Sequence, residues 1–160
     1  MAHDLLFRCV APALVTPFTD DDALDEAAFR RLIAAQIAGG VAALVVLGTT
    51  GENPTVTEAE RHRLVDWAVD AADGRVPVVV GTGTNNTAQS VAFSEAAVDS
   101  GADGLLVVGP YYNKPSQAGF KAPVQPITDA ADAPLLLYNL PGRPHFTIPS
   151  APALTPARAV

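Results

Sequence analysis

Five short aliphatic runs recur along the chain, at residues 10–15, 41–47, 76–80, 105–108 and 135–138, and longer stretches with helical spacing separate them. Runs of Val and Leu that do not alternate with polar residues belong to strands covered on both faces. Strands joined by helices must pair in parallel, through right-handed crossovers. The rhythm therefore predicts an α/β fold, either a doubly wound sheet or a (β/α) barrel.

The intervening stretches carry their own start and stop signals. In the first, residues 24–37, Phe29, Leu32, Ile33 and Ile37 fall near one face, Asp25 can cap the start, and Gly39-Gly40 stops it. The second opens with Thr57-Glu58-Ala59-Glu60. There the threonine hydroxyl and the glutamate three residues on can each satisfy an amide that the first helical turn leaves without a partner. A third, from Thr87 to about Ser100, places Val91, Phe93, Ala96, Ala97 and Val98 mostly inward and ends at Gly101. The pattern weakens in the fourth, where Pro123 and Pro126 fall inside the expected helix; each removes an amide, at about 3 kcal/mol in a helix interior. Pro149, Pro152 and Pro156 punctuate residues 147–160, so no regular fifth helix is expected there.

Composition narrows the function classes. At 160 residues and 49% hydrophobic, the chain can bury a real core. A net charge of −7 with only ten scattered basic residues argues against a nucleic-acid surface, which needs clustered Lys and Arg. The lone Cys9 cannot form an internal disulfide, and residues 1–4 do not read as a signal peptide, so the expected compartment is the cytoplasm. No aliphatic stretch approaches the roughly 20 residues of a bilayer span.

Several motifs fall short of a site. Gly81-Thr82-Gly83 begins like a dinucleotide fingerprint, but Asn86 occupies the third glycine position. His3, His62 and His145 have no partner at metal-ligand spacing, and Asp20-Asp21-Asp22 lacks the glycine and terminal glutamate of a calcium loop. Asn85-Asn86-Thr87 is more simply a helix cap than a glycosylation sequon. No metal and no cofactor is expected.

Three segments at strand ends differ from these. Gly48-Thr49-Thr50-Gly51-Glu52 follows the second run, Pro110-Tyr111-Tyr112-Asn113-Lys114-Pro115 the fourth, and Tyr138-Asn139-Leu140-Pro141-Gly142-Arg143 the fifth. The carboxyl ends of parallel strands are where such folds place their chemistry. All three tyrosines of the chain lie in these segments, a phenol can relay a proton between hydroxyls, and Arg143 can fork onto a carboxylate.

Together with Gly81-Thr82-Gly83, and in this order and at these separations, the segments resemble the dihydrodipicolinate synthase and N-acetylneuraminate lyase family, specifically its synthase branch. The resemblance covers the chain from about Val10 to Arg143. It implies a (β/α)8 barrel in which a lysine condenses with pyruvate and the resulting enamine adds to an aldehyde, aspartate semialdehyde in the synthase branch. It further implies that Thr50 holds the pyruvate carboxylate and that Thr49, Tyr138 and Tyr112 form a proton relay. Tyr112 would come from the neighbouring subunit of a homo-oligomer, and Arg143 would receive the aldehyde's carboxylate. An effector site for lysine would fall on Asn53, Pro54, Glu58, Arg61, Asn85, Gln89 and Tyr111; neutral Gln89 stands where a carboxylate would grip the effector's ammonium, which argues against lysine feedback.

One departure is plain. Family members carry the imine-forming lysine about twenty residues beyond the arginine that Arg143 matches, whereas the two lysines here are Lys114 and Lys121. The sequence accordingly reads as an amino-terminal barrel portion over residues 1–143, about five parallel strands with four helices. Residues 144–160 read as a Pro- and Ala-rich tail that does not match the family, as after a frameshift or truncation. Such a portion is expected to be inactive alone and to expose sheet edges. The alternatives are an aldolase of the same family acting on a neuraminate or ketodeoxy sugar acid, and a noncatalytic dimerising or binding module.

Overall fold

The computed structural model describes residues 5–112 and 117–139. Within them the order is α1 (Glu26–Ala38), β1 (Leu44–Val46), α2 (Glu58–Ala72), β2 (Val78–Gly81), α3 (Thr87–Asp99), β3 (Gly104–Val108), α4 (Gln117–Ala130) and β4 (Leu135–Tyr138), with a single 3-10 turn, Thr49–Gly51, after β1. The four strands form one sheet in the order β1-β2-β3-β4, and every pairing is parallel. Each carboxyl end therefore lies on the same rim.

The helix signals act as their chemistry dictates. Asp25 accepts a hydrogen bond from the Ala28 amide, and Gly39 and Gly40 close α1 with Gly40 at φ 82°. Thr57 and Glu60 form the reciprocal capping box of α2. Asn86 caps α3 by accepting from the Gln89 amide.

Strand register sorts the core into two faces, because successive side chains leave a strand on opposite sides. Leu44, Val46, Val78, Val80, Leu105, Val107, Leu135 and Leu137 turn toward the helices, where Phe29, Ile33, Leu64, Val65, Ala68, Ala97 and Ile127 pack against them. Val45, Val79, Leu106, Leu136 and Tyr138 have the opposite parity and line the other face. The helix-facing layer holds most of the buried apolar surface, at roughly 25 cal/mol per Å² removed from water.

Three expectations need correction. Residues 10–15 do not form a strand but make one isolated parallel bridge, Ala13 to Val45. Leu14 donates to the Val45 carbonyl at 2.9 Å and Val45 donates to the Pro12 carbonyl at 3.0 Å, but Pro12 has no amide with which to extend the ladder. Second, α4 runs through Pro123 and Pro126. Buried Val124 and Ile127 tie its second half to the core, with Ala131 buried just past its end, and that packing outweighs the two missing amides. Third, α3 turns Ser90, Ser94 and Ala97 inward, while Val91, Phe93, Ala96 and Val98 are only half-buried. Short side chains let this helix approach β2 closely, and Ser94 donates to Thr82 Oγ1 at 2.8 Å.

Two outcomes test this packing. Ile33→Ala removes a wholly buried side chain and should lower unfolding free energy by about 2–5 kcal/mol in urea denaturation. Thr57 holds the Glu60 carboxyl below its ordinary pKa, chiefly through the hydrogen bond with its side chain and then through its backbone amide. A depressed folded pKa gives stability that is present above the ordinary glutamate value of about 4.3 and is lost as pH falls through the depressed value. The denaturation midpoint of Thr57→Ala should thus lie below that of the parent at pH 7, and the gap should narrow in acid.

Candidate functional site

Four strand ends build the rim. β1 is followed by Leu47, whose φ of 57° is left-handed and costly for a side chain of this size, of order 1–2 kcal/mol. The conformation turns the chain abruptly off the strand. The Leu47 carbonyl then accepts from Asn53 Nδ2 at 3.0 Å. Inside the turn, Gly51 donates to the Gly48 carbonyl at 3.0 Å and Glu52 to the Thr49 carbonyl at 3.1 Å. The buried Thr16 hydroxyl donates to the Gly51 carbonyl at 2.7 Å, pinning the turn from the side of residues 10–15. Gly48 and Gly51 are buried while the Thr49 and Thr50 side chains are exposed, so the turn is fixed by its backbone and presents two hydroxyls to the solvent side of the rim.

β2 ends in Gly81, which has to be glycine. A Cβ there would sit 2.0 Å from the Leu47 carbonyl oxygen and 2.6 Å from its carbon. Gly83 is equally constrained, since a Cβ would lie 2.5 Å from the Val108 nitrogen. The two glycines of the Gly81-Thr82-Gly83 segment thus serve close packing between adjacent strand ends rather than a phosphate cradle. Thr82 between them is buried, donates its amide to Leu106 at 3.0 Å and accepts from Ser94.

The tyrosines divide. Tyr138 ends β4 opposite Val108 of β3 and has the parity of Leu136, so it leaves the sheet on the face turned away from the helices, half-buried at the rim. Tyr112 follows β3 with φ 68° and is 92% exposed. Arg143, Lys114 and the tail 144–160 lie outside the described residues, and Lys121 lies on α4.

The burial of one charge was not read from the sequence. Arg61, in the first turn of α2, is only 5% exposed. Its Nη1 donates to the Gly81 carbonyl at 2.8 Å and its Nη2 to the Asn53 carbonyl at 3.4 Å, and its guanidinium lies 4.2 Å from the Phe93 ring centre. Burial pushes its pKa down to about 10, opposed by the nearby Tyr111 and Glu58, so it remains charged at neutral pH. The signal was spacing: Arg61, Leu64, Val65, Ala68 and Ala72 form one inward stripe of α2. Of the positions matched to an effector site, Arg61 thus spends its two donor arms on the chain's own backbone. Among the described residues no group of three His, Cys, Asp or Glu is placed to hold a metal, and no helix is long and apolar enough to cross a membrane.

Parallel strands, helices on one face and a polar rim at the carboxyl ends define a portion of a (β/α) barrel, the architecture whose sites are built at that rim. Residues 6–151 match the dihydrodipicolinate synthetase family, to which the chain belongs. It is 75% identical over all 160 residues to a 4-hydroxy-tetrahydrodipicolinate synthase of Salinibacter ruber, of which it covers 53%. It is 48% identical over 143 residues to one from Rhodopseudomonas palustris, covering 89% of this chain and 48% of that one. Among solved structures, the dihydrodipicolinate synthase of Thermotoga maritima superposes with a TM-score of 0.87 at 44% identity, over 90% of this chain and 47% of that one. The chloride-inhibited synthase of Acinetobacter baumannii, solved with pyruvate, gives 0.84 at 37% identity, over 86% of this chain and 47% of that one. The chain spans about half the length of these relatives, and both the family match and the Salinibacter alignment run past Arg143 into the Pro- and Ala-rich segment.

The geometry of the strand ends can be tested by two glycine replacements. Gly40→Ala meets no atom within 4 Å and should cost only its left-handed φ, about 1–2 kcal/mol. Gly81→Ala meets backbone at 2.0 Å and should cost markedly more in the same denaturation assay, with the largest chemical-shift changes at Leu47 and Gly48.

Proposed function

We propose that these residues form the keto-acid-binding and proton-relay portion of a lyase that condenses pyruvate with aspartate semialdehyde, the 4-hydroxy-tetrahydrodipicolinate synthase reaction of lysine and diaminopimelate biosynthesis. The observation that carries the reading is the turn Thr49–Gly51, a rigid backbone at the carboxyl end of β1 that displays two exposed hydroxyls on the rim where Tyr138 ends β4. The synthase names of the relatives and the pyruvate bound to the Acinetobacter synthase support it.

In this reading, Thr50 anchors the pyruvate carboxylate through its hydroxyl and amide, which fixes the keto carbon for attack. Thr49, Tyr138 and Tyr112 then pass protons, because carbinolamine formation and its dehydration each need an acid or base close to the reacting oxygen. The 92% exposure of Tyr112 suits a side chain offered to a neighbouring subunit, where it would complete that subunit's relay. Arg143 receives the carboxylate of the aldehyde substrate by forked hydrogen bonds.

The covalent step requires an unprotonated amine. Neither Lys114 nor Lys121 matches the position of the family's imine-forming lysine, and that lysine belongs to the length of the relatives that these 160 residues do not span. The carbonyl carbon of pyruvate would bond to that nitrogen and its oxygen would leave as water, so this portion binds and relays while the remainder supplies the nucleophile. Incubating the 160-residue polypeptide with pyruvate and borohydride should leave its mass unchanged; a stable pyruvate adduct would overturn the assignment. In a protein that joins this portion to the remaining half barrel, Thr50→Val should raise the KM for pyruvate by about tenfold or more, corresponding to a lost hydrogen bond to a charged group. An unchanged KM would contradict the anchor role.

A further inference from the structure

Arg61 is expensive to bury. It lines a small, mostly apolar cavity with His62, Val65, Val80, Phe93, Ala96 and Ala97, and its guanidinium forms no ion pair among the described residues and leaves Nε without a hydrogen-bond partner there. An apolar side chain of similar volume would fill the same space without desolvating a charge. What it could not do is donate in two directions. The fork joins the loop after β2, through the Gly81 carbonyl, to the loop after β1, through the Asn53 carbonyl.

Asn53 extends the connection, because its side chain donates to the Leu47 carbonyl while its own carbonyl accepts from Arg61. Leu47 and Asn53 flank the turn on either side, and Leu47 is the strained residue whose carbonyl presses on Gly81. A left-handed leucine persists only where its surroundings over-determine it. Arg61 ties both flanks of the turn to the end of β2, and the Phe93 ring packs against its guanidinium.

We infer that Arg61 is a positioning residue, a buried fork that fixes the Thr49–Thr50 turn against the end of β2. Its consequence for substrate rests on the reading of that turn as a keto-acid anchor. Its effect on the turn does not.

Amide hydrogen exchange on Arg61→Met and Arg61→Lys separates the two. Met keeps the volume and loses every donor, whereas Lys keeps the charge but offers a point donor that cannot span both carbonyls as a planar fork does. In Arg61→Met the amides of Gly51 and Glu52, both bonded within the turn, should exchange at least tenfold faster, while those of Val80 and Leu105 within the sheet change much less. Arg61→Lys should fall between parent and Met. Equal acceleration at all four amides, or none at the turn, would overturn the inference by making Arg61 a general stabiliser or a bystander. Should Arg61→Met fail to fold, Arg61→Lys decides by the same comparison. A pyruvate titration of the same variants supplies the second arm: weakened affinity together with faster turn exchange supports both readings. Faster exchange with pyruvate affinity unchanged from the parent upholds the positioning role and counts against the keto-acid anchor.

Discussion

The approach of the Leu47 carbonyl to Gly81 governs the rest of the rim. Adjacent parallel strands set β1 and β2 side by side, and at their carboxyl ends the chain leaving β1 turns across the end of β2. Any side chain at residue 81 would occupy the space that the carbonyl takes. Because the turn is anchored there, Gly48 and Gly51 stay buried, the 3-10 turn closes on its own amides, and Thr49 and Thr50 are left outward. Backbone strain at Leu47 is balanced by three fixings: Asn53 on its carbonyl, Thr16 on the Gly51 carbonyl, and Arg61 on Asn53 and Gly81.

The same logic continues around the sheet. Gly83 lets the loop after β2 lie against the end of β3, and the Thr82 and Ser94 hydroxyls meet where α3 approaches the end of β2. A polar seam of this kind is satisfied internally, since Ser94 donates to Thr82 and also lies 2.7 Å from the Ser90 carbonyl. It gives the second strand end a fixed shape without drawing on the hydroxyls that face outward.

Much of this was legible in the residues. Asp25, Thr57 with Glu60, Asn86 and the glycine pair 39–40 mark helix ends by local hydrogen bonding, which depends on a few neighbours only. The placement of Thr49, Thr50 and Tyr138 at strand ends followed from the βα rhythm, while Arg143 lies outside the described residues. What escaped were features set by contacts distant in sequence. Pro12 shortened the pairing of residues 10–15 to one bridge, and buried Val124 and Ile127 carried α4 through two prolines. Ser90 and Ser94 turned inward because α3 lies close to β2, and Arg61, named in the sequence only as a match to an effector position, sits on the apolar stripe of α2.

The central claim is that the turn after β1 anchors a keto acid on the carboxyl rim. The most direct measurement is a titration of the isotope-labelled protein with pyruvate, followed by amide chemical shifts. The account predicts that Thr49, Thr50 and Gly51 move together with Tyr138, and that Thr50→Val shifts the response to about tenfold higher pyruvate concentration or beyond. Shifts confined to residues away from the strand carboxyl ends, or a response that survives Thr50→Val intact, would contradict it.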